Sequence, residues 1–292
     1  MDRSHRIGCS RRDFIKAAAA VGAGAGLVGL EGLGAPAPRQ GGVRKRIPVG
    51  VQLYSVRREA AKDLPGVLEA IGKMGYKGVE FAGYYGWEAK PKELRKLLDA
   101  NGLKCCGTHT GLETVSGDKL KATAELHDVL GNTFLIVPSL VGVDAAAWLD
   151  LAKRFNDIAA KAKELGMRVG YHAHAHDFRE LDGKTSWEIF FDNTDPGVIM
   201  QMDTGNCLAG GGNPVAMLKK YPGRSASTHL KEHGGPEAAV IGQGVVPWAQ
   251  VFDVCETTGG TVWYVVEHEV GDDPMGNIKG CLEGLRKMGR GL

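Results

Sequence analysis

The amino-acid sequence predicts an α/β protein of the (β/α)₈ barrel class, and three observations lead to that prediction. After residue 46, eight short apolar runs alternate with eight amphipathic segments. These units occupy residues 47–292, close to the roughly 250 residues of a typical barrel. The apolar runs are dense in Val and Ile rather than strictly alternating, which is typical of strands buried on both faces of a parallel sheet.

The predicted elements follow one another regularly along the chain. Strands are expected at residues 47–55, 78–82, 104–109, 133–138, 168–174, 198–203, 226–231 and 262–267. Helices are expected near residues 62–75, 90–101, 117–130, 144–165, 185–192, 213–220, 247–258 and 276–288. An open, doubly wound sheet is the alternative, but the first strand does not lead into the glycine-rich turn with which that fold binds nucleotides.

The amino terminus resembles a twin-arginine (Tat) signal peptide. The segment SRRDFIK at residues 10–16 precedes an apolar stretch at residues 17–30, which is shorter than the ~20 residues that a membrane-spanning helix needs. We therefore predict a signal peptide and linker at residues 1–46 and one barrel domain at residues 47–292. The resemblance implies the Tat translocase as a partner during export and a periplasmic or secreted location. A basic tail before a helix is the alternative interpretation.

Charge and cysteine content limit the function classes. Residues 1–46 hold nine of the 36 Lys and Arg residues but three of the 34 acidic residues, which leaves a net charge of −4 on the remainder. A mildly acidic barrel domain lacks the excess of positive charge with which proteins bind nucleic acid. The sequence contains no Cys-x-x-Cys pair, so neither a zinc knuckle nor a redox motif is supported. The cysteines of the barrel are expected to be buried.

Ionisable side chains stand at the ends of the predicted strands, where barrels of this kind collect their functional residues. The fifth to eighth strands end in His172, Asp203, His229 and Glu267. Because neighbouring strands lie about 4.8 Å apart, these side chains can converge on one divalent metal ion. Two imidazoles and two carboxylates suit transition metals better than Ca²⁺. We favour Mn²⁺ over Co²⁺, Zn²⁺, Fe²⁺ and Mg²⁺.

Each of these residues also has an ordinary structural interpretation. A single His at a strand end usually forms hydrogen bonds in the core, and an Asp before Thr-Gly-Asn usually caps a turn or helix. The metal interpretation therefore depends on all four residues together. In the alternating triplet His172, His174 and His176, we expect His172 to be the ligand. His174 would line the substrate pocket or orient a ligand, and His176 would be solvated.

Five short motifs follow one another in a fixed order: YHAH at residues 171–174, DTGN at 203–206, THLKE at 228–232, IGQGVVPW at 241–248 and VEHE at 266–269. Over residues 47–290 the chain resembles the sugar isomerase/epimerase family with the xylose isomerase-like TIM barrel, which also includes endonuclease IV. The resemblance implies four ligands on strands five to eight, which are Glu, Asp, His and Glu in keto-sugar epimerases. His172 replaces the first Glu, and here the chain is more similar to the inosose dehydratase branch.

The resemblance implies a metal-dependent isomerase or epimerase that removes a proton next to the carbonyl of a keto-sugar or related carbohydrate. Glu267 is the expected general base or acid, with His109 or His174 on the other face of the sugar. The metal would act as a Lewis acid that stabilises the enediolate. The alternative is a dehydratase or lyase, in which the enediolate expels water or an aglycone from a keto-sugar or inosose. The replacement of Glu by His172 slightly favours elimination.

Further residues are expected to contact the carbohydrate. Glu80 and Lys231 would bind hydroxyl groups or orient the metal ligands. Trp87 and Trp248 would stack on the apolar face of a sugar ring, or else pack in the core or loops. Export favours free keto-sugars or oxidised glycosides over sugar phosphates, and no cluster of Arg and Lys for a phosphate stands at the strand ends.

Two other function classes stay open. A nuclease similar to endonuclease IV would need a three-metal cluster with many more His ligands and a basic groove, and the acidic barrel argues against it. A non-catalytic sugar-binding barrel would bind carbohydrate without a metal. The sequence leaves the formation of a homo-oligomer open.

Overall fold

The computed structural model describes residues 46–291, so the predicted signal segment lies outside the described residues. Eight parallel strands form a nearly closed barrel, which confirms the predicted fold class. These strands are β1 (Val49–Gln52), β2 (Gly78–Phe81), β3 (Lys104–His109), β4 (Phe134–Val137), β5 (Arg168–His172), β8 (Ile199–Gln201), β9 (Ser227–Leu230) and β10 (Trp263–Val266). Two short strands, β6 (Glu180–Leu181) and β7 (Lys184–Thr185), form a separate antiparallel hairpin.

The barrel closes because β1 pairs with both β2 and β10. The seam between β8 and β9 is different, since these two strands share no continuous ladder within residues 46–291. An isolated parallel bridge joins Asp203 to His229 across this seam. The amide of His229 donates to the carbonyl of Met202 at 2.8 Å, and the amide of Met200 donates to Arg224 at 2.9 Å.

Nine helices surround the strands within the described part of the chain. They are α1 (Arg57–Met74), α2 (Pro91–Ala100), α3 (Lys119–Leu130), α4 (Ala145–Glu164), α5 (Ser186–Asp192), α6 (Thr204–Ala209), α7 (Pro214–Lys220), α8 (Trp248–Thr257) and α9 (Pro274–Lys287). Eight of them match the predicted segments, and α6 was not predicted. None of the helices in residues 46–291 combines the length and apolar character needed to cross a bilayer.

Helix α1 begins five residues before its predicted start because it consists of two segments. Asp63 has φ −152° and ψ 78°, which interrupts the helical backbone, and Pro65 follows two residues later. The carboxylate of Asp63 accepts a hydrogen bond from the amide of Gly66 at 3.0 Å and so caps the second segment. The amphipathic pattern identified only this longer second segment.

The main core fills the layer between strands and helices, where large apolar side chains are fully buried. Aromatic residues on β5, α4 and α5 pack against one another there: Trp148, Phe155, Tyr171, Trp187 and Phe190. The five cysteines of the described chain are buried and free, as expected. This layer holds the strands in place and leaves their C-terminal ends to carry polar side chains.

Gly170 lies in the middle of β5, opposite Ile199 on β8. A Cβ atom at this position would stand 2.7 Å from both the Cβ and the carbonyl oxygen of Ile199. We expect Gly170→Ala to lower the free energy of unfolding by about 1–3 kcal/mol, because this close approach forces strands apart. Urea denaturation measures the change. Gly197→Ala is the control, since no neighbouring atom lies within 4 Å of its added Cβ; equal stability of both variants would contradict the prediction.

Candidate functional site

Four of the predicted site residues meet at the C-terminal ends of consecutive barrel strands. His172 ends β5, Asp203 follows β8, His229 lies in β9 and Glu267 follows β10. Asp203 also caps α6, since its Oδ1 accepts a hydrogen bond from the amide of Asn206 at 2.7 Å. All four residues are buried, with at most 5% exposure. The sequence thus places two imidazoles and two carboxylates together below the barrel surface.

The atoms of these four side chains that can bind a metal all lie within 4.8 Å of one another. The Nδ1 atom of His229 is 2.6 Å from Oε2 of Glu267 and 4.0 Å from Oδ2 of Asp203. The Nε2 atom of His172 is 3.8 Å from the same Oε2 of Glu267. His229 therefore faces the group with Nδ1, and His172 faces it with Nε2.

Asp203 shows that the group fits a cation. Its Oδ2 atom is buried and has no hydrogen-bond partner among the described residues. A buried carboxylate oxygen without a partner is costly, and a metal ion compensates such an atom directly. The set of nitrogen and oxygen donors is the type that binds transition-metal ions. The four residues can therefore hold a divalent metal.

Burial and the neighbouring charges shift the pKa values of these side chains strongly when no ion is bound. Burial raises the pKa of the Asp203 carboxyl to about 6, against the opposing effect of Lys231. Burial disfavours the charged form of His229, but Glu80 and Glu267 outweigh this effect and raise its pKa to about 10. Burial and the neighbouring His229 hold the pKa of His172 well below its usual value. A bound cation thus competes with a proton mainly at His229.

Glu80 lies beneath this group and is fully buried. Its Oε2 atom accepts from Nε2 of His229 at 2.6 Å and from Nε2 of Gln52 at 2.8 Å. The same oxygen is 3.1 Å from Nε2 of His109. Burial raises the pKa of Glu80, but His109 and His229 outweigh burial and hold it well below its usual range. This position favours the second role considered for Glu80, the orientation of a ligand.

A cavity of about 280 Å³ opens above the group. Its wall includes His109, His172, His174 and Glu267, together with Tyr54 from the short 3₁₀ helix Leu53–Val56 after β1. Burial lowers the pKa of His174 to about 4, so this ring is neutral near pH 7. Three imidazoles and the carboxylates of Glu267 and Glu269 therefore border the same space, as acid–base chemistry on a small molecule requires.

Lys231 stands at the edge of the group and also lines a neighbouring cavity of about 200 Å³. Its ammonium group contacts Glu269 and lies 3.8 Å from carboxylate oxygens of both Asp203 and Glu267. These carboxylates raise the pKa of Lys231 above its usual value, although burial opposes them. The ammonium group thus stays charged and reduces the repulsion between the two carboxylates.

The two predicted stacking tryptophans do not line the cavity above the group. Trp248 is 7% exposed; its Nε1 donates to Glu232 at 2.9 Å, and its ring packs on Phe252. This placement favours the packing alternative for Trp248. Trp87 is half-buried, with the ammonium group of Lys90 5.9 Å from its ring centre. Tyr54 supplies the aromatic wall instead.

Comparison with known proteins identifies the family. The sequence model described as "Xylose isomerase-like TIM barrel" matches residues 68–288. The chain belongs to this family. A second model, for the Tat pathway signal sequence, matches residues 8–28 and indicates export. The family resemblance and the signal-peptide resemblance inferred from the motifs are thereby confirmed.

Curated relatives of the chain carry the name inosose dehydratase. An inosose dehydratase of Bacillus anthracis (strain CDC 684 / NRRL 3495) is 28% identical over 142 residues, 42% of this chain and 47% of the relative. That of Geobacillus kaustophilus (strain HTA426) is 27% identical over 207 residues, 58% and 65% of the two chains. The chain thus spans about half to two thirds of these curated relatives.

A solved structure, a sugar phosphate isomerase/epimerase from Parabacteroides distasonis ATCC 8503, extends the similarity to the whole barrel. It is 26% identical, with a TM-score of 0.72, and the match covers 82% of this chain and 98% of that one. A xylose isomerase-like barrel is therefore the framework on which the four buried residues stand.

Proposed function

We propose that this member of the xylose isomerase-like family is a metal-dependent enzyme that removes a proton next to the carbonyl of a keto-sugar. The observation that carries the proposal is the buried group of His172, Asp203, His229 and Glu267, open to a cavity bordered by further proton-transfer residues. Mn²⁺ is the proposed ion. The names of the relatives, which refer to inososes and sugar phosphates, support a carbohydrate substrate.

A divalent ion bound by these four side chains would act as a Lewis acid toward the carbonyl and the adjacent hydroxyl group of the sugar. Glu267 is the proposed base, because it belongs to the group and also lines the cavity. Burial raises the pKa of Glu267, but Lys231 and His229 outweigh burial and keep the carboxylate ionised. His109 and His174 are placed to exchange a proton from another side of the cavity.

After Glu267 removes the proton, the substrate can react in two ways. Protonation of the same carbon from the opposite face, by His109 or His174, gives epimerisation, and protonation of the neighbouring carbon with loss of its hydroxyl proton gives isomerisation; these outcomes are the ones first expected from the sequence. Protonation of a β-hydroxyl or glycosidic oxygen, which then leaves as water or an alcohol, gives elimination. The second candidate, elimination, is favoured by His172, because a buried neutral imidazole stands where keto-sugar epimerases carry the first of their four ligands, a Glu.

Incubation of the metal-loaded enzyme with keto-sugars and 3-keto-glycosides in heavy water tests the proposal. Deuterium in a returned or epimeric sugar would support reversible proton transfer, and release of water or of an aglycone would support elimination. Absence of both reactions from a panel of keto-sugars, with metal bound, would contradict the proposed function.

The metal content of purified variants tests the ligand set. We expect His229→Ala and Asp203→Asn to lose bound metal, because each removes one donor or charge from a buried group. Asp203→Asn keeps an oxygen that can cap α6, whereas Asp203→Ala also loses the cap and about 1 kcal/mol of stability. Elemental analysis measures the metal. Wild-type metal content in both His229→Ala and Asp203→Asn would contradict the assignment.

The Tat signal and the folded barrel together support a location outside the cytoplasm. Tat substrates cross the membrane folded, so the metal would be acquired before export. We propose that the enzyme acts in the periplasm or as a secreted protein, with the barrel domain beginning near residue 47. Such a location favours free keto-sugars or oxidised glycosides over phosphorylated sugars.

A further inference from the structure

Gln201, the last residue of β8, lies at the centre of a buried hydrogen-bond network below the proposed ligands and is fully buried. Its Oε1 atom is 3.0 Å from Nδ1 of His172 and 2.8 Å from Nε2 of His109. Its Nε2 atom is 2.8 Å from Oε1 of Glu80 and 3.0 Å from Oγ of Ser227. One amide therefore connects two histidines with the carboxylate that holds a third.

The contacts of Glu80 decide which way the amide of Gln201 points. The side chain of Glu80 receives hydrogen bonds from Gln52 and His229 as well as from Gln201. An ionised carboxylate can only accept hydrogen bonds, so the NH₂ group of Gln201 must face Glu80. The carbonyl oxygen of Gln201 must then face the two imidazoles.

This orientation sets the position of the hydrogen on each ring. A carbonyl oxygen only accepts, so Nδ1 of His172 must carry the hydrogen, which leaves the lone pair on Nε2. Nε2 is the nitrogen that faces Glu267, at 3.8 Å. In His109, Nε2 stands between Gln201 and Glu80, both of which accept, so it carries the hydrogen and Nδ1 keeps the lone pair.

We propose that Gln201 is a positioning residue that fixes the tautomers of His172 and His109, while Glu80 binds Nε2 of His229 and leaves its Nδ1 facing the ligand group. Resting on the proposed function, this assignment gives Nε2 of His172 to the metal and makes Nδ1 of His109 the nitrogen that accepts a proton from substrate. The amide does so without adding a charge to the buried group. An apolar side chain of the same length would leave the tautomer of His172 unselected.

The tautomers are measured directly by nitrogen NMR of protein labelled with ¹⁵N-histidine, in the absence of metal and substrate. His172→Gln assigns the signals of His172. We expect the wild-type protein to show a hydrogen on Nδ1 of His172, and Gln201→Met to show a mixture in which Nε2 is protonated. Ser227→Ala removes a different contact of Gln201 and should leave the wild-type tautomer unchanged.

Mn²⁺ titration of the same proteins gives the second measurement. We expect Gln201→Met to weaken Mn²⁺ binding about 10- to 100-fold, with Ser227→Ala close to wild type. A wild-type His172 that carries its hydrogen on Nε2 would overturn the proposal even if Gln201→Met failed to fold. Unchanged Mn²⁺ affinity in folded Gln201→Met would overturn it as well. Failure of the proposed function would appear separately, as metal retention by His229→Ala and Asp203→Asn or as lack of reaction with keto-sugars.

Discussion

Glu267→Gln is expected to slow the exchange of the substrate's carbon-bound hydrogen with solvent by about 10²- to 10⁴-fold, the usual contribution of a positioned general base. The substitution keeps the size of the side chain and an oxygen that faces the ligand group, but it removes the group that accepts the proton. Glu267 is the one proposed ligand carboxylate that also borders the cavity. Deuterium incorporation from heavy water measures the rate directly.

The control for Glu267→Gln is Glu283→Gln on helix α9, whose side chain is 53% exposed and outside the site. It should exchange at the wild-type rate. Metal content must be measured on the same sample, because loss of the metal alone would also slow exchange. Near-wild-type exchange by a metal-loaded Glu267→Gln protein would contradict the role of Glu267 as base and assign it to His109 or His174.

Glu80→Ala is expected to lower the free energy of unfolding of the metal-free protein by about 3–5 kcal/mol, the range for removing one partner of a buried ion pair. The loss is large because three buried donors, on Gln52, Gln201 and His229, lose their acceptor at once. Urea denaturation measures the difference. The same variant should bind Mn²⁺ more weakly, because His229 loses the contact that orients its ring.

An exposed ion pair supplies the comparison for Glu80→Ala. Glu69 and Lys73 stand one turn apart on helix α1, with side-chain exposures of 56% and 73%. Glu69→Ala should change the free energy of unfolding by about 0–1 kcal/mol, because solvent screens such pairs. An effect of Glu80→Ala no larger than that of Glu69→Ala would show that the network does not stabilise the barrel.

The sequence was sufficient to predict the barrel and to select the four residues that meet in the buried group, because both follow from strand ends. An apolar run ends where the strand leaves the core. A charged residue directly after such a run, such as Asp203 or Glu267, can therefore be recognised from the sequence. The unpredicted helix α6 has six residues, and its sequence TGNCLA has no apolar periodicity to reveal it. The 3.6-residue pattern needs more length than this helix has.

The supporting network could not be predicted from the sequence. Gln52 and Gln201 are neutral side chains at strand ends, and such residues are as often solvated as buried. Their role depends on contacts with Glu80 across 28 and 121 positions of the chain. Trp248 was a predicted site residue that packs in the core instead. A tryptophan beside a predicted loop can equally stack on a sugar or fill the core. Only three-dimensional packing separates these alternatives.

A metal ion at the proposed site would connect the strands β8 and β9, which share no continuous ladder within residues 46–291. In the described part of the chain, an isolated bridge at this junction joins Asp203 to His229, and both belong to the proposed ligand set. An ion bound by these two side chains would link β8 to β9, where the barrel lacks a continuous ladder of hydrogen bonds. Because a ligand that binds only the folded state adds its binding free energy to that state, metal concentration would set the stability of the barrel through this junction.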